Sequence, residues 1–202
     1  MNKSKIFGIG LPRTGTTTLN NALRILGYRS LHNPHSFRKN QLDGCYCFDG
    51  EWDALTNFGE HIYPQLDECY PGSRFILTVR DKKKWIESIE NKTSELSYSE
   101  FGNKIRISIF GCHKFNKSRY SYIYDLHIRE AKEYFRNRPE DLLIVDWEKG
   151  QGWKELCSFL NKSVPNVSFP HDNRGNNTEL SRAKWLFYRM YYFINERYKN
   201  YV

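Results

Sequence analysis

A short glycine-rich segment near the start of the chain, Gly10–Thr17, has the composition of an anion-binding loop. It reads GLPRTGTT, follows the apolar run Lys5–Ile9, and is itself followed by apolar residues at helical spacing as far as Gly27. Glycines let backbone N–H groups converge, and the start of a helix adds a positive end. The segment therefore suits a phosphate or a sulfate. The alternative is a plain strand-to-helix turn, in which Gly10 and Gly15 serve only the backbone.

The residue after the second glycine narrows the choice of anion. Nucleoside-triphosphate loops of the type GxxxxGK[ST] carry a lysine there, whereas this chain has Thr16. The cation of this loop stands inside the turn instead, at Arg13. A guanidinium can bridge two oxygens with its planar fork. ATP and GTP are therefore disfavoured as ligands.

Arg80 and Ser88 form a second candidate pair. Arg80 ends the predicted strand Arg74–Arg80, and Ser88 stands eight positions later, about two turns into a helix that Asp81 caps. An arginine and a serine at this spacing are commonly a solvated pair. Their place on the strand and helix that follow the glycine loop distinguishes them from such a pair.

These two motifs together resemble the sulfotransferase superfamily that uses 3′-phosphoadenosine 5′-phosphosulfate (PAPS). Its 5′-phosphosulfate loop has the pattern P-[KR]-[ST]-G-T-[TS], and an arginine with a serine eight positions later holds the 3′-phosphate. The segment from Leu142 to Asn173 is also similar to a bacterial-type branch, while Ser94 to Ser121 is the least familiar stretch. The resemblance implies donor binding by Pro12, Arg13, Thr14, Gly15, Thr16, Thr17, Arg80 and Ser88.

The resemblance further implies in-line transfer of a sulfuryl group to a hydroxyl or an amine, without a metal and with Arg13 as the catalytic cation. The acceptor would be a small molecule or a carbohydrate. Arg174 and Gly175, in a glycine-containing basic turn, are candidates to close over the 3′-phosphate; a flexible loop is the alternative. Gly150–Lys154 is interpreted as a turn and helix start rather than a donor loop.

The general base is the open question. In the family's cytosolic members a histidine ends the strand that precedes the Arg80-type strand, and Asn57 stands at about that place here. An amide cannot accept the proton of a hydroxyl at neutral pH. Asp53, Glu60 and His61 are the nearest groups that could, so Asn57, Asp53 and His61 are the candidates at this position. Each of the three titratable groups also has a structural explanation.

Two other sets of residues are expected near the ligand edge. His32 and His35 follow the second predicted strand, and a solvent-exposed loop pair is the expectation for them. Aromatic residues are dense after the second strand–helix unit. Core packing is the default role for them, and the lining of an acceptor pocket or lid is the alternative. They are Tyr98, Phe101, Phe110, Phe115, Tyr120, Tyr122 and Tyr124.

The pattern of elements predicts a three-layer α/β/α fold with a central parallel sheet, in a single domain over residues 1–202. Apolar runs of strand length alternate with segments of helical periodicity. Such a sheet binds ligands at the carboxyl ends of its strands, where the loop and Arg80 would meet. Further strands are predicted at Tyr28–Leu31, Ala54–Thr56 and Leu142–Val145, and helices at Pro64–Tyr70, Ile123–Phe135, Trp153–Leu160 and Leu180–Tyr198.

Composition limits the partners. The chain has 202 residues and a formal charge of +8, which favours an anionic partner. The basic residues form no tract or known nucleic-acid module, so nucleic acid is not expected. Five cysteines without paired spacing predict reduced thiols and no zinc site. No membrane span or signal peptide is recognised, and a cytoplasmic location is expected.

Three functional classes stay open at this point. The first is a PAPS-dependent sulfotransferase, which Arg80 and Ser88 favour. The second is a P-loop kinase of a nucleoside or small metabolite, which Thr16 disfavours. The third is a non-catalytic nucleotide- or nucleic-acid-binding protein, which Asn57 at the base position keeps open.

Overall fold

Five short parallel strands form one sheet in the order β2-β3-β1-β4-β5, with every neighbouring pair parallel. The computed structural model describes residues 3–94 and 99–170, and at Ser94 it describes the backbone alone. The strands are β1 (Ile6–Gly8), β2 (Ser30–His32), β3 (Ala54–Thr56), β4 (Arg74–Thr78) and β5 (Leu142–Val145). The helices are α1 (Thr16–Ile25), α2 (His35–Leu42), α3 (Tyr63–Cys69), α4 (Lys82–Ser94), α5 (Glu100–Phe110), α6 (Lys117–Tyr134) and α7 (Trp153–Leu160). Short 3₁₀ turns stand on either side of β5, at Pro139–Asp141 and Trp147–Lys149.

The alternation of side chains along each strand builds a core on both faces of the sheet. Phe7 pairs in register with Leu55 and Phe75, and these three side chains pack with α3 and α6. The neighbouring residues Ile6, Ala54 and Ile76 face the other way and pack with α1 and α7. The predicted α/β fold with a central parallel sheet and helices on both faces is thereby confirmed.

A third apolar cluster lies where α4, α5 and α6 meet. It joins Leu11, from the loop after β1, to Trp85 of α4, Phe110 of α5 and Tyr120 of α6. The glycine loop is therefore packed against helices on the side away from α1. The longest described helix, α6, has 18 residues, and none of the helices in the described ranges combines the length and apolar character needed to cross a membrane.

Most predicted elements match, and the exceptions have physical causes. β3, β5 and α7 coincide with their predictions. α6 begins earlier than predicted, at Lys117, because the side chain of Asn116 accepts a hydrogen bond from the backbone N–H of Arg119 at 2.9 Å and caps the helix. α2 and α5 were not predicted from periodicity. The predicted helix Leu180–Tyr198 lies outside the described residues.

The expectation of five reduced thiols is wrong at one pair. Cys47 and Cys69 form a disulfide, with their Cα atoms 5.6 Å apart. Cys69 ends α3 and Cys47 lies in the long connection between α2 and β3, so tertiary packing joins them across 22 positions with no local motif. Cys45, Cys112 and Cys157 are free thiols, as expected for them.

Candidate active site

The loop between β1 and α1 is held in one shape by side-chain hydrogen bonds. The Thr14 hydroxyl donates to the carbonyl of Leu11 at 2.7 Å and lies 2.6 Å from the hydroxyl of Thr78, at the end of β4. The indole N–H of Trp85 donates to the carbonyl of Pro12 at 2.8 Å. The loop is therefore anchored to the sheet through Thr78 and to α4 through Trp85.

Close packing explains why the loop has glycines at two positions. A Cβ on Gly10 would lie 2.0 Å from the Thr78 Oγ1, and a Cβ on Gly15 would lie 2.4 Å from Cδ1 of Trp147. Gly15 also has a φ of 93°, and Arg13 has a φ of 72°, both in the left-handed region. The left-handed backbone that favours glycine is therefore present at Gly15, and the Arg13 side chain is exposed.

Three of the predicted donor-binding residues meet in space. Nε of Arg13 donates to the hydroxyl of Ser88 at 3.1 Å, across 75 positions of sequence. Nη1 of Arg80 donates to the backbone carbonyl of Arg13 at 3.1 Å. The loop, the residues after β4 and the second turn of α4 thus converge on one place at the carboxyl edge of the sheet.

Glu148 and Tyr124 also hold Arg80, and sequence reasoning assigned neither of them to the site. Nη2 of Arg80 donates to Oε1 of Glu148 at 2.5 Å, and Nζ of Lys84 donates to Oε2 of the same carboxylate at 3.2 Å. The hydroxyl of Tyr124 accepts from the backbone N–H of Arg80 at 3.1 Å and donates to its carbonyl. Glu148 is brought here by the pairing of β5 with β4, which no local motif reveals.

Asn57 also lies beside the loop. It follows β3 with a φ of 51°, and its Oδ1 accepts from the hydroxyl of Thr16 at 3.5 Å. Its carbonyl accepts from Nη2 of Arg38, a buried side chain of α2, at 2.6 Å. The loop and the predicted base position therefore share one edge of the sheet.

Comparison with known proteins decides the family. Residues 5–178 match the family described as "Sulfotransferase domain". The chain belongs to the sulfotransferase family. This sulfotransferase is 26% identical over 211 residues to "Ava biosynthesis cluster protein M" of Aspergillus versicolor, an alignment that covers 83% of this chain and 80% of that protein.

A solved structure has the same fold. The crystal structure of a sulfotransferase from Alicyclobacillus acidocaldarius is similar to this sulfotransferase with a TM-score of 0.54 and 15% sequence identity. The likeness covers 94% of this chain and 92% of that chain. At this identity it shows the fold alone, and roles of individual residues follow from the geometry described here.

Asp53 does not share the edge of the sheet with the loop. It immediately precedes β3, and its carboxylate accepts from the backbone N–H of Arg29 at 2.8 Å and from Nε of Arg29 at 3.4 Å. The backbone hydrogen bond from Arg29 is the largest cause that lowers the pKa of Asp53. Because strand β3 is parallel to its neighbours, its first end faces away from the loop. Asp53 is corrected here to a structural residue and is not retained as a base.

The side chains of Glu60 and His61 both make structural contacts. Burial raises the pKa of Glu60, but the Arg38 guanidinium at 2.7 Å more than offsets this, and the net pKa is lowered. His61 Nε2 lies 2.7 Å from the carbonyl of Ile109, which can only accept, so the ring donates there. The His61 ring packs on His127 with 5.3 Å between ring centroids. Neither residue lines the pocket described next.

A pocket of about 350 Å³ opens beside Arg13 and Asn57. It is lined by the loop, Asn57 and α2, together with α4, α5 and α6, which contribute apolar side chains as well as Lys92, Thr93 and Arg106. The lining residues that later arguments use are His35, Ile89, Lys92, Phe101, Ile105 and Ile109. Of the aromatic residues expected to form either core or pocket, Phe101, Phe110 and Tyr120 line it, Phe115 and Tyr124 pack in the third apolar cluster, and Tyr122 is exposed.

The two histidines after β2 differ from the expected exposed pair. His32 is largely buried: its Nδ1 lies 2.9 Å from the Thr56 hydroxyl and its Nε2 lies 3.5 Å from the Thr17 hydroxyl. Burial lowers the pKa of His32 to about 4, so the ring is neutral at neutral pH. His35 is exposed, stacks on Phe101 at 4.2 Å between centroids, and lines the pocket. Sequence reasoning noted both residues and chose neither.

The predictions for Arg174, Gly175 and Tyr98 concern residues that lie outside the described part of the chain. Within the described ranges, no group of His, Cys, Asp and Glu side chains is arranged to hold a metal ion. The site as described is therefore a cationic loop edge, a neighbouring pocket and a histidine.

Proposed function

We propose that this sulfotransferase moves a sulfuryl group from PAPS to the hydroxyl of a small acceptor. The observation that carries the proposal is the convergence of Arg13, Ser88 and Arg80 at one edge of the sheet. These residues come from two separate segments, and each matches a position that the superfamily uses for its donor. Family membership supports the transfer of a sulfuryl group, and the convergence supports the donor.

The start of α1 supports binding of the donor's 5′-phosphosulfate. The helix begins after Gly15 with no side chain capping it and with no acidic residue in its first turn. Its first backbone N–H groups have no partner within the helix and carry the positive end of the helix dipole. An anion is the natural partner of such groups.

Arg80 and Ser88 would hold the 3′-phosphate, with Lys84 as a further cation. Arg80 and Lys84 both donate to the carboxylate of Glu148, so a 3′-phosphate would take the place of this carboxylate as their partner. A phosphate offers more acceptor oxygens than a carboxylate and carries more charge. The hydrogen bonds between the Tyr124 hydroxyl and the backbone of Arg80 fix the position from which the Arg80 side chain extends.

The proposed reaction breaks the bond between sulfur and the bridging oxygen of the 5′-phosphate. The electron pair stays on that oxygen and yields adenosine 3′,5′-bisphosphate, while the acceptor oxygen forms the new bond to sulfur and loses its proton. Negative charge grows on the leaving phosphate during transfer, so a fixed guanidinium at Arg13 lowers the barrier. These steps need positioning and charge from this chain, and they assign no role to a metal.

His35 is the proposed acceptor of the hydroxyl proton. Among the described residues that line the pocket it is the one imidazole, and it lies there together with Arg13 and Asn57. The variant His35→Gln should slow transfer by about a hundredfold, because it removes the group that takes the hydroxyl proton. Transfer at the parent rate in His35→Gln would exclude His35 as the base.

Thermal shift with three ligands separates the candidate functions. We expect adenosine 3′,5′-bisphosphate to stabilise the protein without magnesium, and ATP with magnesium or a random oligonucleotide to stabilise it less. Transfer of labelled sulfate from PAPS to a panel of alcohols then tests the activity itself. Stabilisation by ATP with magnesium alone would favour a kinase. Stabilisation by the oligonucleotide alone would favour a nucleic-acid-binding protein.

A further inference from the structure

The pocket beside Arg13 and Asn57 has a largely apolar lining whose charged side chains are all cationic among the described residues, and both features limit what it can bind. We infer that the acceptor is a hydroxyl on a small apolar body that is neutral or anionic, and that polyhydroxylated sugars and cationic amines are rejected. The inference rests on the proposed function, because it assigns this pocket to the acceptor. It narrows an acceptor that was open to hydroxyls, amines and carbohydrates.

The size of the pocket sets the size of the acceptor. Its volume is about 350 Å³, at the lower end of the range of about 300–1,000 Å³ that small-molecule sites occupy. A body of about one or two rings fits such a volume. A peptide or an oligosaccharide would place most of its atoms outside.

The apolar residues of the pocket lining disfavour molecules with many hydroxyls. Ile89 of α4 and Phe101, Ile105 and Ile109 of α5 line the pocket, and Ile89 and Ile109 are each only 5% exposed. Their side chains offer no hydrogen-bond partner, so a sugar hydroxyl turned toward them would lose water and gain nothing. An aromatic or aliphatic body loses nothing there and gains contact with Phe101.

Polar groups also line the pocket next to the donor loop. Arg13 belongs to that loop, and Asn57 lies beside it and accepts from the Thr16 hydroxyl; both line the pocket with Asn33. A molecule with one hydroxyl at one end of an apolar body can place the hydroxyl by these groups and the body by α5. The pocket thus orients a monohydroxylated acceptor toward the donor loop without further polar contacts.

The charge of the lining is positive throughout. Arg13, Arg38, Lys92 and Arg106 line the pocket, and among the described residues that line it none is an aspartate or a glutamate. Arg38 is paired with buried Glu60 and Arg106 donates to the Tyr120 hydroxyl at 2.5 Å, whereas Lys92 is exposed. An ammonium group entering this pocket meets only like charges, while a carboxylate can approach Lys92.

A matched series of phenols tests the charge preference directly. The probes are p-cresol, which is neutral, 3-(4-hydroxyphenyl)propionate, which is anionic, and tyramine, which is cationic, with glucose as the polyhydroxylated comparison. Binding is measured by calorimetry on the protein saturated with adenosine 3′,5′-bisphosphate, and transfer is measured with labelled PAPS. We expect the anionic and neutral phenols to bind at least about fivefold more tightly than tyramine, and glucose to show no measurable binding.

Two charge-reversal variants on α4 locate the effect. Lys92→Glu should lower the affinity for the anionic phenol relative to the affinity for tyramine by about fivefold, which narrows or reverses the difference between them. The affinity for p-cresol should stay unchanged. Lys83→Glu is the matched control, because Lys83 is also exposed on α4 but does not line the pocket. It should leave all three affinities unchanged.

The outcomes separate this inference from the proposed function. Equal or tighter binding of tyramine, binding of glucose in preference to the phenols, or equal effects of the two lysine variants would overturn the inference. Sulfuryl transfer to none of the probes, with the calorimetric order intact, would count against the proposed function and leave the preference of the pocket standing. The full order together with transfer in the same order supports both.

Discussion

The proposed donor side and the proposed acceptor side of this site are built in different ways. The donor side consists of the loop between β1 and α1 and of the residues from Arg80 to Ser88, and its groups are fixed by hydrogen bonds such as that between Arg13 and Ser88. The acceptor side is a pocket whose walls come from four helices and from the segments after β1, β2 and β3, and its apolar residues are fixed by packing.

The difference shows what each side depends on. Backbone geometry decides the donor side, because a Cβ at Gly10 would collide with Thr78 and the left-handed φ of Gly15 disfavours any side chain there. Helix packing decides the acceptor side, where several apolar residues can exchange without loss of the fold. Changes on the donor side should therefore affect all acceptors alike, whereas changes in the pocket should alter the choice among them.

The largest effect is expected at Arg13, where the two sides meet. Arg13→Ala should lower the single-turnover rate of sulfuryl transfer by about 10²–10³-fold, because it removes charge that stabilises the leaving phosphate. Binding of adenosine 3′,5′-bisphosphate should change less. Arg13→Lys is the control for charge and should retain much of the rate. Transfer at the parent rate in Arg13→Ala would remove Arg13 from the mechanism.

The next largest effect is expected at Arg80, which belongs to the donor side alone. Arg80→Ala should weaken binding of the bisphosphate by about 1.5–3 kcal/mol, the worth of a charge-assisted contact to phosphate. Binding of adenosine 5′-monophosphate and of phenols should hardly change, as measured by calorimetry. Lys83→Ala, an exposed cation on α4, is the matched control. A loss equal for the two nucleotides would mean that Arg80 does not read the 3′-phosphate.

Protonation of His127 at low pH should destabilise both the donor side and the acceptor side. His127 is buried, and its Nε2 donates to the carbonyl of Ile9 at 2.7 Å, just before the loop. Its ring packs on His61, which donates to Ile109 in the wall of the pocket. Burial, reinforced by His61, lowers the pKa of His127 to about 4.

The sign of the pH dependence follows from this lowered pKa. Between about pH 4 and 6.5 the unfolded chain binds a proton at this histidine and the folded chain does not, so stability falls as the pH falls, by up to about 1.4 kcal/mol per pH unit. Urea unfolding between about pH 7 and pH 5 measures it. His127→Gln keeps a donor for Ile9 and should show a shallower dependence. Parallel curves for the two proteins would contradict the assignment, since His32 titrates in both.

The smallest effect is expected at Asn57. Asn57→Asp should keep transfer to a hydroxyl acceptor within about threefold of the parent rate or increase it. Aspartate tolerates the left-handed φ of 51° and keeps an oxygen for the Thr16 hydroxyl. A variant that folds and binds the bisphosphate normally but transfers far more slowly would mean that the amide N–H₂ of Asn57 donates an essential hydrogen bond.

The convergence of Arg13, Arg80 and Ser88 could be predicted from the sequence because the information for it is local. Arg80 and Ser88 are eight positions apart, at the end of a strand and on the helix that follows it. The loop is recognised in the sequence by Gly10 and Gly15. Glu148 could not be predicted, because only the pairing of β5 with β4 brings it to Arg80. The disulfide between Cys47 and Cys69 escaped for the same reason.

The acceptor side was largely hidden from the sequence. α5 contains Gly102 and several β-branched isoleucines, which weaken a helix signal, although Ser99 caps it by accepting from the N–H of Gly102 at 3.1 Å. Asp53 was selected as a base because β3 has only three residues, so both ends of the strand stand close together in sequence. The two ends nevertheless face opposite edges of the sheet, and only Asn57 reaches the loop.

The central claim is that the donor side recognises a nucleotide with a 3′-phosphate. Calorimetry of the unmodified protein with adenosine 3′,5′-bisphosphate and with adenosine 5′-monophosphate, both without magnesium, tests it most directly. The arrangement of Arg13, Ser88 and Arg80 predicts that the bisphosphate binds about ten- to a hundredfold more tightly. Equal affinity for the two nucleotides would contradict the claim.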